Sequence, residues 1–131
     1  MLQAAYHDAQ RELLVDGQRE DYEHFRDAVS RSLASGSEVV LPVQSTGNTA
    51  VSHIVVRSST PPNRVSYERG RVVFAISPDL QEQFLSFVTF PADADMPDSP
   101  IQYHHHYEGL ADDGTYVASD SLPVVFGLER V

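Results

Sequence analysis

At Gly36 the spacing of apolar residues changes from three or four to two, and this switch constrains the fold more than any other feature of the chain. Before it, Leu2, Ala5, Ala9 and Leu13 recur at helical steps, and Tyr22, Phe25, Val29 and Leu33 do so again. The first stripe ends near Asp16-Gly17 and the second at Gly36, where glycine takes the left-handed conformation that closes helices. Arg19, Glu23, Arg26 and Asp27 supply the second segment's polar face. The expectation is a pair of N-terminal helices.

After Gly36 the segments become short and β-branched. Residues 38–43, 51–57, 65–68 and 71–76 read as strands, with Pro42 marking an edge or an end and Arg69-Gly70 a hairpin turn. Ser77-Pro78 starts a short helix over about 78–86, with serine as cap and proline at the first helical position. Residues 91–100 contain three prolines and three aspartates, a composition that predicts an extended, mobile loop. Residues 101–108, 116–119 and 124–129 read as closing strands. The predicted architecture is a single α+β domain over residues 1–131, the helical pair packed on one curved, mainly antiparallel sheet of five to seven strands.

Composition removes several chemistries. The 131 residues include no cysteine and no lysine, so thiolate metal sites, disulfides, Schiff bases and a phosphate-loop lysine are excluded. No Gly-x-Ser-x-Gly elbow localises a nucleophilic serine. The Asp93, Asp95, Asp98 cluster lacks the glycine and closing glutamate of an EF-hand loop. The resulting expectation is a protein that is not an enzyme and uses no cofactor. No stretch resembles a secretory signal or a membrane span, which predicts a soluble, cytoplasmic protein.

Charge gives the direction of the functional reading. Net charge is −10; residues 1–90 hold 11 acids and 8 arginines, whereas 91–131 hold 8 acids and Arg130 alone. A field of this sign repels nucleic acid and anionic membranes and favours a basic protein partner. The expected function is a non-catalytic acidic binding module, of the inhibitor or immunity-protein kind, opposing a basic surface such as a toxin's phosphate-binding site. Its expected contacts are Asp93, Asp95, Asp98, Glu108, Asp112 and Asp113, with Tyr103 and Tyr107 as aromatic anchors.

The run Tyr103-His-His-His-Tyr-Glu108 supports an alternative, a metal-binding protein or metal-dependent enzyme. On a strand, His104, His106 and Glu108 share one face and Tyr103, His105 and Tyr107 the other. Two imidazoles at this spacing can chelate a divalent metal, with Glu108, His53, Asp93 or Asp95 as candidate further ligands. A second alternative is a structural or assembly subunit, and homo-oligomerisation is compatible with either. The run Arg71-Val-Val-Phe-Ala-Ile-Ser-Pro-Asp-Leu80 resembles part of the bacterial SseB-like domain, in which a hairpin strand leads into a similar serine–proline helix start. That resemblance spans about the middle third of the chain and implies no defined chemistry.

Overall fold

The computed structural model describes residues 1–98, 103–108 and 114–129. The chain forms two sheets rather than one, and among the described residues a single long helix rather than a helical pair. The elements in order are β1 (Gln3–His7), β2 (Glu12–Gly17), α1 (Arg19–Ser35), β3 (Val39–Pro42), β4 (Gln44–Ser45), β5 (His53–Ser58), β6 (Arg64–Glu68), β7 (Arg71–Ile76), a 3-10 turn (Pro78–Leu80), α2 (Gln81–Ser86), β8 (His104–Tyr107) and β9 (Val124–Leu128). The five-stranded sheet runs β4-β1-β2-β9-β8 and the four-stranded sheet β3-β5-β7-β6. Both are mixed, because β1–β4, β2–β9 and β5–β7 pair in parallel.

The expected first helix is the β1–β2 hairpin. Its buried residues are Leu2, Ala4, Tyr6, Leu13 and Val15, whereas Ala5 is half-buried and Ala9 exposed. The period is therefore two. Register from Gln3 opposite Asp16 to His7 opposite Glu12 is closed by a turn in which Arg11 takes φ 49°. The helical spacing of Leu2, Ala5, Ala9 and Leu13 is overridden because β2 also gains a parallel partner, β9.

The second stripe does form α1. Gln18 donates its backbone N–H to the Asp21 carboxylate at 2.9 Å, and Gly36 ends the helix at φ 74°. Tyr22, Phe25, Ala28, Val29 and Ser32 make its buried face, which lies against β5, β3 and β2. Phe25 enters the space between the sheets, with its ring centroid 5.5 Å from Phe74 of β7 and 6.3 Å from Phe126 of β9. Phe84 of α2 completes the cluster at 5.9 Å from Phe74 and 6.2 Å from Phe126. A second inter-sheet contact stacks Tyr6 on Tyr67 at 4.5 Å.

Residues 116–119 are not the expected strand. They follow the free edge of β6, joined by one bridge between Asn63 and Val117, while Leu122 donates its N–H to the Val65 carbonyl at 2.9 Å. This cover leaves few unpaired backbone groups along that edge. No helix among the described residues is long and apolar enough to cross a membrane.

Candidate functional site

The 103–108 run supplies two surfaces. β8 is the last strand of its sheet, with His104 opposite Gly127 and Tyr107 opposite Val124 of β9. Alternation turns His104 and His106 outward and exposed. His105 points inward, stacks on Phe90 at 4.6 Å and donates Nδ1–H to the Phe87 carbonyl at 2.8 Å. Tyr107 lies in the core at 1% exposure, edge-on to Phe84 and Phe87, and its hydroxyl accepts from the Asn63 amide at 3.1 Å. It therefore cannot serve as the expected aromatic anchor. Tyr103 is half-buried against the core, and Glu108 half-exposed.

The outward face carries one pairing that the local sequence does not reveal. Register aligns Asp16, Gly127 and His104 across β2, β9 and β8. A Cβ on Gly127 would lie 2.3 Å from the Asp16 Oδ1 and 3.2 Å from the His104 Cδ2, so both side chains lean over the space that glycine leaves. Burial pushes the Asp16 carboxyl above the usual carboxylate range, while the nearby imidazole pulls it part of the way back.

A raised native pKa makes the ionised carboxylate a cost that is present above that pKa and lost as pH falls through it towards the ordinary value. Asp16→Asn should thus raise the melting temperature at pH 7, and the gain should shrink as the medium is acidified towards pH 3.8. Thermal unfolding of the two proteins across that pH range checks the sign. A loss of stability at pH 7 would mean that the carboxylate holds the sheet together.

The acidic residues divide similarly. Asp95, expected to contact a partner, is 8% exposed and receives Arg19 through Nε at 3.2 Å and Nη2 at 3.0 Å. The Arg19 hydrogen bonds hold its carboxyl below the usual range. Arg19 also donates to the carbonyls of Phe90 and Pro91, at 3.3 and 2.6 Å. Ala94 is buried in the core, and the Ala94 and Met96 amides close turns onto Pro91 and Asp93. This part of the aspartate-rich loop is consequently tied down, not extended as its composition predicts. Asp93, Met96 and Asp98 remain on its outer side. Asp112 and Asp113 lie outside the described residues.

The candidate metal ligands do not converge. His53 is on the opposite sheet beside Ser52, Asp95 is taken by Arg19, and among the described residues no three His, Asp or Glu side chains are grouped to hold an ion. Sequence reasoning missed Asp16, Gly127 and Arg19 as parts of these surfaces, because each acts across a long sequence separation.

No protein-family model, curated protein or solved structure matches the chain.

Proposed function

We propose that the protein is a non-catalytic binding module, of the inhibitor or immunity kind, that presents the 93–98 loop to a basic surface on a protein partner. The observation supporting this reading is the Arg19 anchor. One guanidinium spans the loop's buried carboxylate, Asp95, and the carbonyls of Phe90 and Pro91 just before the loop, so Asp93 projects from a backbone held on both sides and Asp98 follows three residues after the Asp95 anchor. Ordering before contact reduces the entropy lost on binding. The acidic excess of residues 91–131 would steer a basic partner towards it.

Affinity capture with the wild-type protein and with Asp93→Asn/Asp98→Asn, followed by identification of the bound proteins, tests the reading. Basic proteins should be retained by the wild type at low salt, released at about 0.5 M salt, and lost in the double variant. Equal capture by both proteins would overturn it.

The Asp16–Gly127–His104 alignment favours a second reading, in which His104 and Asp16 begin a metal site that a partner completes. Calorimetric titration with zinc should then give heat that His104→Ala removes. Absence of heat with the wild type would discard this reading.

A further inference from the structure

The outer face of the four-stranded sheet has a charge opposite to that of the rest of the molecule. It carries Arg57, Arg64, Arg69 and Arg71 against Glu68 and the two acids that pair with Arg57 and Arg64, Glu38 and Asp120, in a chain of net charge −10. Ile54, Val56, Val65, Val72, Phe74 and Ile76 point into the core, so alternation turns Arg57, Arg64 and Arg71 outward. Arg69 stands beside them in the β6–β7 turn, where it takes φ 52°. Arg64 is paired with Asp120 at 2.9 Å, whereas the side chains of Arg69 and Arg71 make no ion pair among the described residues. With Glu68 they line an open depression.

Between the arginines runs an apolar row, with Val40 opposite Val55 and Val55 opposite Val73. Val55 and Val73 face outward yet are 0% and 2% exposed. Arg57 is pinned between Glu38 at 3.0 Å and Glu68 at 4.0 Å, which carries its side chain diagonally across this row. Val40, at the β3 edge, is left 49% exposed.

The 93–98 loop has the complementary arrangement on another part of the molecule. Met96 is also 49% exposed, and Asp93 and Asp98, which make no ion pair among the described residues, flank it. We propose that the loop of one molecule docks on the four-stranded sheet of a second copy, with Met96 against Val40 and the two aspartates towards Arg69 and Arg71. This rests on reading the loop as a contact surface, and names a second copy of the chain as one of its partners. Because the two surfaces differ, the contact is head to tail and builds a chain or a ring. Its charges make it weaker in salt.

Sedimentation velocity tests the proposal. The wild type should form concentration-dependent species larger than a monomer at low salt, and these should dissociate at about 0.5 M salt. Asp93→Asn/Asp98→Asn removes the charges of the loop and Arg69→Gln/Arg71→Gln those of the face; each variant alone should associate at least tenfold more weakly. An equimolar mixture should give a 1:1 heterodimer and nothing larger, since only one intact loop and one intact face remain. Val40→Glu provides a second face variant should the arginine pair fail to fold. A wild type that stays monomeric at its highest attainable concentration overturns the proposal, as does wild-type association that no variant weakens or a mixture that forms no heterodimer. If the wild type is monomeric while Asp93→Asn/Asp98→Asn still abolishes capture of basic proteins, self-docking alone fails. If the heterodimer forms while capture is unchanged, the functional reading fails and self-docking stands.

Discussion

Replacing Asn63 with leucine should destabilise the fold by about 3 kcal/mol, read as a lower urea midpoint with an unchanged denaturant slope. Asn63 has 0% exposure, and its amide works in both directions. Oδ1 accepts the Ser77 N–H at 2.7 Å, which fixes the exit from β7 into the following helical turn, and Nδ2 donates to the Tyr107 hydroxyl at 3.1 Å, which ties in β8. Its backbone bonds to Tyr116 and Ala118, both at 2.8 Å. Leucine has nearly the right volume but neither accepts nor donates, so the substitution strands the Ser77 N–H in a site that water does not reach. A cost below about 1 kcal/mol would mean that this amide does not join the two sheets.

Phe126→Ala should cost more, about 4 kcal/mol, and lower the melting temperature by roughly 15 °C. Phe126 is fully buried on β9, between β2 and β8. Its ring lies 6.0 to 6.4 Å from those of Phe74, Phe84, Phe25 and Tyr22, so it touches the opposite sheet and both helices at once. Truncation leaves a cavity lined by rings from three different elements, α1, α2 and β7, and no single movement can close it. A loss under about 2 kcal/mol would show that the cluster repacks and that the inter-sheet space is loosely filled.

These two residues mark the boundary between what local sequence reveals and what it does not. The α1 stripe, the Gly36 stop, the Arg69-Gly70 turn and the Ser77-Pro78 start are encoded within a few residues, and each occurs in the structure where its pattern lies. The first fifteen residues satisfy both a helical and an alternating pattern. The choice between them is made by β9, more than 100 positions away, whose parallel pairing with β2 no local spacing specifies. Division into two sheets has the same origin: β6 and β7 form a predictable hairpin, but the pairing of β5 with β7 inserts one hairpin strand between two partners.

The candidate surfaces follow this pattern. Alternation over residues 103–108 is local and separates the outward His104 and His106 from the inward His105 and Tyr107. It cannot show that Gly127 brings Asp16 beside His104, because that depends on cross-strand register. Charge composition locates the acidic third but not the fate of each carboxylate. Asp95 becomes a structural anchor because Arg19, 76 positions earlier, opens α1 next to it. The basic sheet face was likewise hidden within a net charge that averages over the chain.

On the proposed function a fixed loop, and not acidity alone, makes the binding surface, and Arg19→Gln separates the two. The substitution frees Asp95 and makes the protein more acidic, yet removes the bonds that hold the loop. Capture of basic proteins by Arg19→Gln and by the wild type, compared at equal concentration and salt, is the most direct measurement. Capture by the variant should be weaker despite its additional negative charge. Capture equal to or stronger than that of the wild type would contradict the proposed function.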